Sequence, residues 1–179
     1  MNKLTPVQQK FILHWGEMGA RWGINRTVAQ LHALIYLAPK PLNADDICEA
    51  LGVARSNVST SLRELQNWKL IKITHVLGDR RDHFESVTSD VWEMFRIVLD
   101  ERKKREIDPT LKMLEACVAQ AEQGGKPEEL TRERLAAMHE FFAMMSDWYG
   151  KVDQLPMSGI LKFVKAGEQL RKLFGTRKE

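Results

Sequence analysis

Apolar residues recur at helical spacing along most of the chain, and one short stretch switches to strand-like patterning. Val7, Phe11, Trp15, Met18 and Trp22 predict a first helix from Thr5 to about Gly23, with a wide apolar face. Gly16, Gly19 and Gly23 weaken that helix, so it is expected to be held by packing on another surface. A partner subunit is the preferred surface, and packing within the chain is the plainer alternative. Val28, Leu31, Leu34 and Ile35 mark the buried face of a second helix. It starts at Asn25 or Thr27, the latter with Gln30 at capping-box spacing, and Pro39 and Pro41 end it.

The stretch from Leu42 to Val87 carries the most information. Asn43 is a good N-cap, Asp45 and Asp46 suit the positive end of a helix, and Ile47 and Leu51 share one face. Gly52 ends this short helix by taking a left-handed backbone. A longer helix follows from about Ala54 to Trp68, with Val58, Leu62 and Leu65 as its apolar stripe. Its opposite face carries Ser56, Thr60, Arg63 and Asn67, with Ser59 beside it. Hydroxyls, an amide and a guanidinium are the groups that pair with base edges and phosphates. A solvated helix face would mix in acids, yet Glu64 is the only acid between Ala54 and Trp68. Leu70, Ile71 and Ile73 then begin a strand, and Phe84 and Val87 lie on its return. Gly78-Asp79-Arg80-Arg81-Asp82 forms the turn, with two arginines at or near its tip.

Beyond the hairpin the pattern is helical again. Ser89 or Asp90 caps a helix through about Glu106, with Val91, Met94, Phe95 and Val98 as its stripe. The charged run from Asp100 to Glu106 reads as a solvated face. Asp108-Pro109 predicts a kink or a new helix, continued by Leu111, Leu114 and Val118. Gly124-Gly125-Lys126-Pro127 is the clearest linker. Two amphipathic helices follow. One runs from about Glu128 to Tyr149 and ends at Gly150; the other runs from about Met157 to Phe174 and ends at Gly175. The two have little core of their own, so they are expected to dock on the rest of the chain or on a second subunit.

Composition narrows the function classes. At 179 residues the chain holds one good core, or a small domain with extensions. Its net charge is only +3. From Gly52 to Arg81, however, Arg55, Arg63, Lys69, Lys72, Arg80 and Arg81 face only Glu64 and Asp79, so positive charge is concentrated at the motif. No apolar run is long enough for a membrane span, and MNKLTPVQQK lacks a hydrophobic signal core, which points to the cytoplasm. Cys48 and Cys117 make neither a disulfide framework nor a metal cluster. The five histidines are scattered, and no phosphate loop, HExxH or GxSxG motif is present. No catalytic residues, metal or cofactor are therefore expected, and an enzyme has nothing in its favour.

LNADDICEALGVARSNVSTSLRELQNWKLIKI, followed by GDRRDHFES, resembles the MarR-type transcription regulators, and more narrowly their GbsR-like branch. FILHWGEMGARWGINRTVAQLHALIYL strengthens the likeness, although Asn25 stands where such relatives often carry Pro. The fold class implied is mainly α with a small β-wing: a winged helix-turn-helix with N- and C-terminal dimerisation helices. The expected divisions are an N-terminal dimerisation helix at 1–24, the DNA-binding domain at 25–88, dimerisation or linker helices at 89–123, and a helical extension at 124–179. The resemblance implies a homodimeric repressor on a pseudo-palindromic operator in double-stranded DNA. Expected DNA contacts are Arg55, Ser56, Asn57, Ser59, Thr60, Arg63, Asn67, Arg80 and Arg81.

The branch includes sensors of choline-type compounds, so a small-molecule effector is also implied. Trp15, Trp22, Tyr36, Trp92 and Phe95, with Trp148, are candidates for its pocket, against plain core packing. The alternative function is a winged helix that binds protein instead of DNA, but that predicts an apolar or acidic second helix. A purely structural helical dimer would leave the polar helix face and the wing arginines without a purpose.

Overall fold

The computed structural model describes residues 4–123 and 129–173. The expected linker, Gly124 to Pro127, and the expected helix end at Phe174 and Gly175 lie outside the described residues. The chain divides into two compact units, residues 1–98 and 99–179. The expected boundaries at 24 and 88 fall within the first unit.

The first unit contains α1 (Pro6–Arg21), α2 (Arg26–Leu37), β1 (Leu42–Asn43), α3 (Ala44–Leu51), α4 (Arg55–Asn67), β2 (Ile71–Thr74) and β3 (His83–Ser86). It also contains the start of α5 (Val91–Arg102). Thr5 caps α1 in a reciprocal box with Gln8, and Asn25 caps α2 by accepting from the Thr27 amide. The buried face of α1 differs from the expected stripe. Ile12, Gly16 and Gly19 are its buried residues, while Val7 is 78% and Trp22 57% exposed. Phe11 and Trp15 are half-buried against the core of this unit. The glycines set this phase by letting α1 approach α2. A Cβ at Gly19 would stand 2.5 Å from Ala29 Cβ, and one at Gly16 2.5 Å from Gln30 Cγ.

Val28, Leu31, Leu34 and Ile35 of α2 join Ile47, Val58, Leu62, Leu65, Ile71 and Phe84 in the core. The sheet is antiparallel, in the order β1-β3-β2. Leu42 pairs with Phe84, and Ile73 with Phe84 from the other side. The two-residue β1 was not expected, because so short a strand leaves no alternation to read. Asp90 caps α5 by accepting from the Glu93 amide. Met94, Ile97 and Val98 face the core, whereas Val91 and Phe95 of the expected stripe are exposed.

The second unit holds the rest of α5, a π-helical turn (Lys103–Ile107), α6 (Asp108–Gln123), α7 (Glu129–Asp153) and α8 (Met157–Leu173). A new helix, α6, begins at Asp108-Pro109 as expected, directly after the π-helical turn. Proline has no amide to donate and crowds the carbonyl four residues back, so the turn before it widens. The charged run is not uniformly solvated. Glu101 is 6% exposed, with Arg105 at 3.5 Å and Lys104 at 3.9 Å. Gly150 does not end α7, which continues to Asp153, and Pro156 follows that end. No described helix is long and apolar enough to cross a membrane.

Candidate nucleic-acid interface

The interface is built from α3, α4 and the base of the wing. Asn43 accepts from the amides of Asp45 and Asp46, and Asp46 returns the bond to the Asn43 amide. Gly52 takes φ +64 and ends α3, so the chain turns at once into α4. Val58, Ser61, Leu62 and Leu65 bury one side of α4. Arg55, Ser56, Asn57, Ser59, Thr60, Arg63 and Asn67 are all exposed. Seven of the nine expected DNA contacts thus share one accessible helix surface.

The wing arginines have different environments. The loop between β2 and β3 turns at Gly78, φ +85, with the Asp79 amide donating to the Val76 carbonyl. Arg80 is exposed and carries no ion pair among the described residues. Arg81 is folded back. Its Nε donates to Asp79 Oδ1 at 2.9 Å, its Nη2 to Oδ2 at 2.5 Å, and its Nη1 lies 3.4 Å from Asp45 Oδ2. The Arg81 guanidinium holds the Asp79 carboxyl well below the usual carboxylate range, and Asp79 raises Arg81 in return. Asp45 also pairs with Arg55. One carboxylate therefore ties the start of α4 to the wing.

Sequence reading placed Asp45 only in the first turn of its helix. Its partner Arg81 lies 36 residues away, and no local signal marks the pair. Lys72 pairs across the strands with Glu85 at 3.3 Å. Arg55, Lys72 and Arg81 are thus tied to acids, whereas Arg63 and Arg80 have no acid partner among the described residues. A cleft of about 340 Å³ lies between these elements, lined by Asp45, Arg55, Ser59, Arg63, Gln66 and Arg81 among others.

The aromatic candidates do not form one cage. Trp15 and Tyr36 line a second cavity, of about 230 Å³, with Phe11, His32, Val91 and Met94. Trp22 stands edge-on to Trp15 at 6.4 Å, outside that lining. Trp92 and Phe95 contact each other at 5.8 Å and do not line it either. Trp148 belongs to the second unit. Among the described residues, no group of His, Cys, Asp and Glu is arranged to hold a metal ion.

This arrangement, a capped short helix, a glycine turn, a polar-faced helix and a hairpin, is matched by known proteins. Residues 22–82 match the model of the MarR family. The chain is similar to a Bacillus subtilis (strain 168) protein named "Putative HTH-type transcriptional regulator YvaV". The two are 25% identical over 150 residues, 82% of this chain and 84% of the relative. Among solved structures, one titled a transcriptional regulator superposes with a TM-score of 0.63 at 21% identity. It covers 84% of this chain and all of that one, and it establishes the fold. The S. aureus MepR–DNA complex aligns with a TM-score of only 0.36 at 23% identity, over 57% of this chain and 78% of its own. So loose a superposition carries no argument about the interface.

Proposed function

We propose that this chain is a DNA-binding transcription regulator, a repressor, that acts in the cytoplasm as a homodimer on a pseudo-palindromic operator. One observation carries the reading. The exposed side of α4 is made entirely of residues that pair with bases and phosphates, and the other side of the same helix is locked in the core. The family match over residues 22–82 and the name borne by the Bacillus relative point the same way. Within the family, the Trp- and Gly-containing first helix favours the GbsR-like branch. The exposed apolar positions on α7 and α8 favour a second copy as the partner, since such faces need cover. A small-molecule effector fits the apolar cavity of the first unit.

Selection of duplexes from a random pool, followed by footprinting on the chain's own upstream region, tests this. A two-fold protected site is expected. Thr60→Ala and Arg63→Ala should each weaken its binding by about 1–3 kcal/mol while melting like the parent. A folded protein that enriches no duplex would overturn the reading and favour a winged helix that binds protein.

A further inference from the structure

The cleft between α3, α4 and the base of the wing holds an acid on the surface where DNA is expected to lie. Asp45 divides its carboxylate between two elements. Arg55 Nη1, at the start of α4, donates to Oδ1, and Arg81 Nη1, at the base of the wing, lies 3.4 Å from Oδ2. The side chains of Asp45, Arg55 and Arg81 are 62%, 58% and 55% exposed, so a duplex can reach all three. The fold does not call for this carboxylate. Asn43 satisfies the first-turn amides of α3, and Asp46 closes the reciprocal cap. Exposed ion pairs of this kind add little to stability.

We infer that Asp45 is a specificity-determining residue, which lowers the affinity of this surface for DNA of any sequence more than its affinity for the operator. The inference rests on the DNA-binding reading above and gives the acid within that interface a task. Attraction to DNA of any sequence comes from cations that displace counterions from phosphates. Arg55 and Arg81 would supply two such cations. Asp45 and Asp79 stand against them, so the four groups together carry no net charge. A phosphate that approaches Arg55 also meets the carboxylate beside it. Directional contacts suffer less. A guanidinium has five N–H donors, and those of Arg55 not engaged with Asp45 can still meet a base edge or a phosphate at a fixed position. Holding the guanidinium in one orientation before DNA arrives lowers the ordering cost of a contact that fits, and does nothing for one that does not. Site selection depends on the ratio of the two affinities, and an acid that subtracts mainly from the general one raises that ratio.

The test compares the full chain with Asp45→Asn on two duplexes, one of arbitrary sequence and one enriched by the parent, by fluorescence anisotropy over a series of salt concentrations. Glu115→Gln, at an exposed position on α6, removes the same unit of charge from the second unit and serves as the control. Asp45→Asn should melt like the parent. It should bind the arbitrary duplex about five- to tenfold more tightly in about 0.1 M salt, with a salt slope steeper by about 1 per bound chain. The enriched duplex should gain about twofold or less, so the ratio falls. Asp45→Glu, which keeps the charge, should bind the arbitrary duplex as the parent does. Unchanged affinity and slope for the arbitrary duplex in Asp45→Asn overturn the inference. So does an equal gain on both duplexes, or a gain in Glu115→Gln as large as that in Asp45→Asn. Each of these leaves the DNA reading standing, because the chain still binds its enriched duplex. A folded parent and variant that bind neither duplex overturn the DNA reading and this inference together.

Discussion

The two units of this chain treat their apolar residues in opposite ways. In the first, Leu31, Ile47, Val58 and their neighbours are almost completely buried, and the one polar-faced helix has its apolar side fully covered. In the second, Leu114 and Ala121 are the buried apolar residues among those whose side chains are described. Leu130, Met138, Phe141, Met145 and Trp148 stand exposed along one face of α7, and Met157, Leu161 and Val164 along one face of α8. The first unit builds a closed core, although Val7, Trp22, Leu77, Val91 and Phe95 remain exposed around it. The second carries long apolar stripes with few described residues buried beneath them. That difference assigns the units different tasks under the proposed function: one presents groups to DNA, and the other brings two copies together.

The largest expected effect breaks the second unit and spares the first. Phe141→Asp with Met145→Asp places charge in the exposed stripe of α7. The double variant should sediment as a monomer at micromolar concentration, and its first unit should melt within about 0.5 kcal/mol of the parent. Operator binding should fall about a thousandfold, the order gained by joining two half-site contacts. A variant that still sediments as a dimer would show that the copies meet elsewhere.

A smaller effect belongs to the first unit alone. Folding holds the His32 pKa at about 4, below the 6.5 of an ordinary imidazole. Above pH 6.5 neither the folded nor the unfolded state binds the proton, and the shift costs nothing. Between 6.5 and 4 the unfolded chain takes it up and the folded one does not, so stability falls as pH falls. The loss should reach about 3 kcal/mol across that window. Denaturant unfolding at pH 7 and pH 4.5 should show it in the parent and much less of it in His32→Leu. An equal pH dependence in both would place the titrating group elsewhere.

The same substitution in the two units should act with opposite sign. At Gly19 the new Cβ meets Ala29 Cβ at 2.5 Å, so α1 and α2 must separate, at a net cost of about 1–2 kcal/mol. At Gly150 nothing lies within 4 Å, and Gly→Ala inside α7 should gain about 1 kcal/mol from helix propensity. Thermal melts of the two variants measure both. A loss at Gly150 would reveal a surface packed closely over that position.

These contrasts also mark what the sequence made legible. The α3-turn-α4 segment could be read because its signals are local: Asn43 capping, Gly52 at positive φ, and Val58, Leu62 and Leu65 in phase. The phase of α1 could not be read that way. Its buried face is defined by two glycines that matter only because α2 lies against them, and a hydrophobicity pattern gives glycine no weight. The π-helical turn was hidden for a related reason. Asp-Pro is a common helix start, and whether the preceding helix runs through it depends on packing and on ion pairs such as Lys103 with Asp108 at 2.7 Å. At the interface, the exposed α4 side chains follow from helical phase. The tethering of Arg81 does not, because Asp45 reaches it only through the fold.

That tether supports the smallest effect and divides the DNA-facing charge of the first unit into two kinds. Arg80 is exposed and carries no ion pair among the described residues, so it is available to a phosphate. Removing it should weaken all duplexes alike by about 1 kcal/mol or less and lower the salt slope by about 1. Arg81 is held by Asp79 and Asp45, so its charge is already largely balanced before DNA arrives. Arg81→Ala should leave Asp79 without its guanidinium partner and Asp45 with Arg55 alone, adding net negative charge beside α4. Binding should then weaken through repulsion, and adding Asp45→Asn to Arg81→Ala should restore part of the loss. Measuring affinity against salt for the two single variants and that double variant separates the roles. If Arg80→Ala left the slope unchanged while Arg81→Ala lowered it by about 1 with no rescue from Asp45→Asn, Arg81 would be the phosphate contact. The paired geometry would then have to open when the first unit meets DNA.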